Sequence, residues 1–380
     1  DVYKRQGISR LMKTPYYLID EQLLEKNLKI LHTVKERTGC KILLAQKCFS
    51  MFSVYPLIAE YLDGTTASGL YEAKLGYEEM HKENHVFSTA YRDDEIEEIM
   101  NICDHVVFNS FNQWQKYQNL AKQTSTSCGI RINPECSTQI GHEIYDPCAK
   151  FSRMGVTLEN FKEELLEGIE GLHFHTLCEQ NSDDLITTIR AVEEKFGKYL
   201  GQMKWLNFGG GHHITRKDYD LEKLIKIINE IKEKYQVQVY LEPGEAVALN
   251  AGFLVSSVLD ITHNGMAIAI MDTSAACHMP DVLEMPYRPE IIDSALPNVK
   301  TYTYRLGGPT CLAGDIIGDY SFDQPLQVGQ QLWFKDMAIY SMVKNNTFNG
   351  MNLPSIVLKQ KEKLKIIKEF NYCDFKNRLS

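Results

Sequence analysis

Residues 206–244 read LNFGGGHHITRKDYDLEKLIKIINEIKEKYQVQVYLEPG, and the fold is decided there. Residues 206–208 form a short apolar strand that runs into Gly209, Gly210 and Gly211. The run 219–235 carries Leu221, Leu224, Ile227, Ile228 and Ile231 at helical spacing, which predicts a helix with one apolar face. Residues 238–241 return to strand character and stop at Glu242-Pro243-Gly244. Strand, glycine turn, amphipathic helix and strand make one unit of a parallel β/α architecture.

The same alternation recurs from Thr14 to about Glu245. Candidate strands lie at 42–45, 64–67, 86–88, 105–108, 129–132, 171–174, 206–208 and 238–241, with helical runs such as 71–81 and 93–102 between them. Eight strands alternating with helices predict an α/β fold, a TIM-like (β/α)8 barrel, with a doubly wound open sheet as the alternative. After Glu245 the stretches 253–261, 266–271, 302–306, 331–334 and 356–358 are short, β-prone and separated by Gly and Pro turns. They predict a β-rich C-terminal domain, barrel or sandwich, which residues 16–19 join. The expected division is a barrel over 20–245 and a β-rich domain over 246–380 plus 14–19. Asp1-Val2-Tyr3-Lys4-Arg5-Gln6 reads like the translation of a sequencing-library transposon end and is expected to be an artefact.

The 380-residue chain has a net charge of −9, 44% hydrophobic and 24% charged residues. An acidic balance argues against nucleic-acid binding and suits a cationic substrate. There is no apolar run of membrane-spanning length and no secretory signal. The ten cysteines show no CxxC spacing, so they are expected to be reduced thiols in the cytoplasm.

Strand parity puts several chemical groups on one rim. Leu43, Ala45 and Lys47 share a face, as do His173 and His175, and Tyr240 and Glu242. In such barrels the chemistry sits at the carboxyl ends of the strands, with phosphate often bound after strands seven and eight. A desolvated lysine at the barrel mouth can form a Schiff base, though strand-end lysines are commonly solvated. Successive glycines let backbone N–H groups close around a phosphate. A carboxylate at the end of a buried strand needs a partner, and a pyridinium N–H is an apt one. His173-x-His175 also admits a metal pair, but no third ligand stands at a suitable spacing, and no metal is expected. Gly307-Gly308-Pro309-Thr310-Cys311-Leu312-Ala313-Gly314-Asp315 adds a thiol whose ordinary pKa suits proton delivery to a carbanion. Together these groups are what a pyridoxal 5′-phosphate site requires.

Ala45-Gln46-Lys47-Cys48-Phe49-Ser50, His173-Phe174-His175-Thr176-Leu177-Cys178-Glu179, Glu242-Pro243-Gly244-Glu245-Ala246 and Cys311-Leu312-Ala313-Gly314-Asp315 resemble the fold-type III pyridoxal phosphate decarboxylases. That family includes ornithine, diaminopimelate and carboxynorspermidine decarboxylases and is akin to alanine racemase. The resemblance covers nearly the whole chain after Lys13 and in motif detail is nearest to the carboxynorspermidine/carboxyspermidine decarboxylases. It implies that Lys47 bonds the cofactor aldehyde, His175 stacks on the ring, and Glu242 holds the pyridine nitrogen. Gly209, Gly210 and Gly211 would bind phosphate, and Tyr340 would also reach the cofactor. It further implies a homodimer with shared active sites, in which Cys311 and Asp315 come from the second subunit. Cys311 would handle protonation after loss of carbon dioxide and Asp315 would meet a substrate amine. Phe348-Asn349-Gly350 resembles a further interface loop.

Two departures bear on the substrate. Relatives often carry a phosphate-binding arginine where Glu245 stands, and Leu312 occupies the place of a glutamate in diaminopimelate enzymes and an aspartate in ornithine enzymes. Exchanging a cation for an anion suits a longer, more cationic substrate, so Glu245 and Asp281 are expected to meet its amines. The resemblance thus implies decarboxylation of carboxynorspermidine or carboxyspermidine to norspermidine or spermidine. A diaminopimelate or ornithine decarboxylase, an amino-acid racemase, a non-catalytic cofactor-binding homologue and a metal-dependent barrel hydrolase remain as alternatives.

Overall fold

The chain enters through β1 (Tyr16–Asp20) and α1 (Glu21–Thr38) before the first barrel strand, β2 (Lys41–Ala45). Asp20 accepts the backbone N–H of Gln22 and Leu23 at 3.0 and 3.4 Å, which satisfies donors that a helix start leaves free. The structure, a computed structural model, describes residues 12–141 and 143–380; the six-residue opening stretch lies outside the described residues. Two compact units result: Glu25–Val247, and the described residues up to Leu24 together with Ala248–Ser380.

The first unit is a closed parallel barrel in the order β2 to β9, as the alternating pattern predicts. After β2 come β3 (Gly64–Ala67), β4 (Glu83–Phe87), β5 (His105–Phe108), β6 (Ser127–Arg131), β7 (Ile169–His173), β8 (Trp205–Asn207) and β9 (Gln238–Leu241). Closure comes from β9 pairing with β2, with Lys41 opposite Tyr240 and Ile42 opposite Leu241. In the stretch 206–244 the helix α2 (Leu221–Tyr235) buries Leu224, Ile225, Ile227, Ile228 and Ile231, close to the apolar face that its spacing predicts.

Side chains of one parity line the barrel interior. Leu43, Val107, Trp205 and Tyr240 form a buried plug, with Phe87 against it. Trp205 has room only because two neighbours lack side chains: a Cβ at Gly129 or Gly171 would lie 2.3 or 2.0 Å from its ring. β4 begins at Glu83, three residues before the expected strand, and β6 begins at Ser127, two before. Apolar patterning did not mark these starts because polar groups fill the lower interior. Ser127 accepts from Trp205 Nε1 at 2.8 Å, and Glu83 accepts from Tyr240 at 3.0 Å.

The second unit is one eight-stranded sheet. Its strands are β1, β10 (Gly252–Asn264), β11 (Met266–Met271), β12 (Tyr302–Gly307), β13 (Ile316–Phe322), β14 (Gln331–Lys335), β15 (Ser355–Gln360) and β16 (Lys363–Lys368). β1 lies between β10 and β15, so residues 16–19 do join the C-terminal sheet. β10 pairs with β14 through Ser257 and with β11 from Val258, and a register shift between Val258 and Asp260 marks the change of partner. Two strands escaped sequence reading. β13 is interrupted by Gly318 and by Asp319, which pairs with Arg305 at 2.8 Å. β16 is a lysine-rich edge strand, a composition that discourages edge pairing and hides the strand pattern.

Candidate active site

At the carboxyl ends of the barrel strands, Lys47, Arg131, His173, His175 and Glu242 line a cavity of roughly 300 Å³. Parity explains the convergence. Lys47 continues the row of Leu43 and Ala45, Arg131 that of Gly129, His173 that of Gly171, and Glu242 that of Tyr240.

Glu242 is buried, and burial alone would raise its pKa. Hydrogen bonds reverse the direction: His173 Nε2 lies 3.1 Å from Oε2, and Asn207 donates to Oε1 at 2.8 Å. Burial holds His173 below its ordinary pKa despite this carboxylate. Within the pair, His173 Nε2–H donates to the carboxylate. The rings of His173 and Phe87 stack at 5.5 Å. Asn207 also accepts from Gly209 N–H at 2.8 Å, so one amide ties the carboxylate to the glycine turn.

His175 accepts from Gly210 N–H through Nδ1 at 3.2 Å. This fixes the neutral tautomer with hydrogen on Nε2. Burial, with Lys47 and Arg131 adding to it, holds its pKa well below the ordinary value. Lys47 is exposed to the open cavity that its side chain lines. Desolvation by the protein packed around it, and then Arg131, lowers its pKa, against the pull of Glu242. A larger share of free amine, the nucleophilic form, follows. Arg131 is buried at 3% exposure, donates to the His175 carbonyl at 3.1 Å and stands 4.6 Å from the Phe87 ring centroid.

The glycine turn is packed too closely for side chains. Gly209 and Gly211 have φ of +67° and +80°, and a Cβ at Gly210 would lie 2.5 Å from the Glu242 carbonyl. Beyond it, His213 Nε2 lies 3.2 Å from Glu245, and Arg216 donates to His213 Nδ1 at 3.2 Å. Glu245 is thus already engaged by a neighbouring imidazole.

Metal-type donors gather elsewhere. Glu83, His85 and His105, at or near the amino ends of β4 and β5, bring donor atoms within 4.8 Å of one another. Their geometry suits packing better than coordination. The two imidazoles stack at 3.9 Å and 23°, so their in-plane lone pairs do not converge, and Lys41 already hydrogen-bonds Glu83. His173 and His175 are not part of this group.

The remaining residues expected at the site belong to the sheet unit. Cys311 is exposed in the β12–β13 loop, and its N–H donates to Asn349 Oδ1 at 2.7 Å. Asp315 is 2% exposed and accepts from Ser274 Oγ at 3.0 Å, Ala276 N–H at 3.1 Å and Thr310 Oγ1 at 2.7 Å. Asp281 opens the short helix Asp281–Glu284, and Lys344 donates to both of its carboxylates. Tyr340 follows β14 with φ of +45°.

Sequence reading passed over Arg131, Phe87 and Asn207. A signal for Arg131 was present, since a lone cation near the end of an apolar strand is the pattern that singles out Lys47. Phe87 and Asn207 read as ordinary strand residues, and only their neighbours on other strands give them a role.

Comparison with known proteins identifies the family. The family described as "Pyridoxal-dependent decarboxylase, C-terminal sheet domain" matches residues 16–338. A carboxynorspermidine/carboxyspermidine decarboxylase from Campylobacter jejuni is 46% identical, covering 97% of this chain and 98% of the relative. A carboxyaminopropylagmatine decarboxylase from Synechocystis is 41% identical, covering 97% and 96%. The crystal structure of carboxynorspermidine decarboxylase from Campylobacter jejuni complexed with norspermidine superposes with a TM-score of 0.91 at 44% identity, covering 97% of this chain and all of that one. No helix among the described residues is long and apolar enough to cross a membrane. The chain is an enzyme that belongs to the pyridoxal-dependent decarboxylase family.

Proposed function

We propose that the enzyme removes the α-carboxyl group of carboxynorspermidine or carboxyspermidine, releasing carbon dioxide and norspermidine or spermidine. The observation that carries this reading is the near full-length 46% identity to a decarboxylase of that name. The 41% identical relative favours a second substrate, carboxyaminopropylagmatine, which also joins an amino-acid head to a cationic tail.

The donor set fits pyridoxal 5′-phosphate. Lys47 would bond the aldehyde, the His175 ring would face the pyridine, Glu242 would accept from its protonated nitrogen, and residues 209–211 would approach the phosphate. Tyr340 would reach the cofactor as well. When bound, the cofactor supplies an electron sink for the carboxyl group's bonding pair. Glu242 keeps a negative charge in a buried place, where a cationic ring N–H is its natural partner. Neutral His175, held by Gly210, presents a ring face without adding positive charge. Lys47 would hold or release a proton at Nζ. Cys311, from the second subunit of a homodimer, delivers the proton that replaces carbon dioxide. Glu245 and Asp281 meet the distal amines in exchange for His213 and Lys344. All ten cysteines are free thiols, in keeping with a cytoplasmic enzyme.

The test is product identification with carboxynorspermidine, carboxyspermidine, carboxyaminopropylagmatine and diaminopimelate side by side. Turnover of a carboxylated triamine at the highest kcat/KM is expected; preference for diaminopimelate would overturn the reading.

A further inference from the structure

The loop that carries Cys311 is held at two separate points, one through Asp315 within its own motif and one through Asn349 outside it. Gly308 N–H donates to the Asp315 carbonyl at 2.8 Å and Asp315 N–H to that of Leu312 at 2.9 Å, which closes the loop on itself. The Asp315 carboxylate then joins Thr310, directly before the thiol, to Ser274 and Ala276. Gly308 closes over it so tightly that a Cβ there would lie 2.2 Å from Oδ2. On the other side, Asn349 Oδ1 accepts the N–H of Cys311 itself. Asn349 sits at φ +56°, a conformation that asparagine tolerates better than most residues. Its segment is fixed in turn, because Asn346 donates to the carbonyls of Ala276 and Cys277, both at 2.9 Å. Both anchors therefore end on the same short helix start, 274–277.

We propose that Asp315 and Asn349 are positioning residues that hold the Cys311 thiol where protonation is needed, and that Asp315 does not meet substrate. A carboxylate that is 2% exposed and has three protein donors has little capacity left for a substrate ammonium. This inference rests on the proton-donor reading of Cys311. The electron pair left by carbon dioxide has two places to take a proton. At the substrate carbon, the product is the primary amine. At the cofactor's own carbon, hydrolysis by one water gives an aldehyde and leaves the amino group on the cofactor as pyridoxamine phosphate. A misplaced thiol should move turnover from the first outcome to the second.

The experiment compares wild type, Asn349→Ala, Asn349→Asp, Thr310→Val and Cys311→Ala. It reads the fraction of turnovers ending in aldehyde plus pyridoxamine phosphate, and the iodoacetamide alkylation rate of Cys311 relative to the exposed Cys373. Asn349→Ala and Thr310→Val should each raise the misdirected fraction about tenfold, as a small displacement of a reacting group would. KM should stay within about twofold, and alkylation of Cys311 should speed up. Asn349→Asp, which keeps the acceptor oxygen, should lie near wild type. Unchanged partition and unchanged alkylation in Asn349→Ala overturn the proposal, as does a fall in kcat with wild-type partition. If Cys311→Ala itself partitions like wild type, the proton-donor reading fails instead, while the alkylation rates still report on the anchors.

Discussion

Glu242 and His173, both buried and both lining the cavity, share a hydrogen bond of 3.1 Å. Burial draws the imidazole below its ordinary pKa, and the imidazole with Asn207 draws the carboxylate below its own. Replacing the charge by an amide, Glu242→Gln, should lower kcat by about 100-fold, roughly 3 kcal/mol, because a fixed charge at a developing charge is the costliest group to lose. Asn207→Ala should cost about 1–2 kcal/mol of the same effect. Steady-state kinetics at saturating cofactor measure both; a Glu242→Gln enzyme within threefold of wild type would remove the carboxylate from the chemistry.

Lys47 combines a lowered pKa with a place on the cavity wall. Lys47→Ala should lose both the visible absorption gained on adding pyridoxal 5′-phosphate and the mass increment fixed by borohydride. A variant that still fixes the cofactor covalently would show that another amine does the work.

Gly210 has backbone on one side and the His175 ring on the other: an added Cβ would meet the Glu242 carbonyl at 2.5 Å and His175 Cε1 at 3.3 Å. Gly210→Ala should weaken cofactor affinity about tenfold, the scale of overpacking a rigid site by 1–3 kcal/mol. Fluorescence titration of the apoenzyme decides it, and unaltered affinity would mean that the turn yields.

Glu245 stands beside His213 at 3.2 Å. Glu245→Gln should raise KM for carboxylated triamines about tenfold, and for shorter diamino acids by less, since one charge-assisted bond is lost only where a distal amine is present. Equal changes for both substrate classes would assign Glu245 to the fold alone.

Burial lowers His212 and His278 from 6.5 to about 4. The unfolded chain protonates such histidines near pH 6.5, whereas the folded one resists until about pH 4. Their contribution is complete above pH 6.5 and is lost as pH falls towards 4, by about 2 kcal/mol per histidine at pH 5. Urea midpoints at pH 7 and pH 5 should fall accordingly, and His278→Gln should show a smaller fall than wild type. An equal fall in His278→Gln would take that residue out of the acid response.

The barrel was legible because its signals are local. Two-residue periodicity puts Leu43, Ala45 and Lys47 in one row, and helical spacing puts Leu224, Ile228 and Ile231 of α2 on one face, whatever the rest of the chain does. The same locality flagged Glu242 and the glycine turn, since residue type and strand-end position are both written in order. The lysine-rich β16 and the Gly318-broken β13 were not legible, because their strand character comes from the partner beside them.

Sequence alone, then, determined the eight-strand alternation, the parity rows and the residue types offered at the rim. Tertiary structure decided what each of them meets. Asn207 became the link between Glu242 and Gly209, and Arg131 a wall of the cavity. Asp315 is enclosed by Ser274, Ala276 and Thr310, with Ser274 forty-one positions away along the chain. Periodicity acts over a few residues, whereas burial and hydrogen-bond partners are set by segments that only closure of the barrel and bending of the sheet bring together.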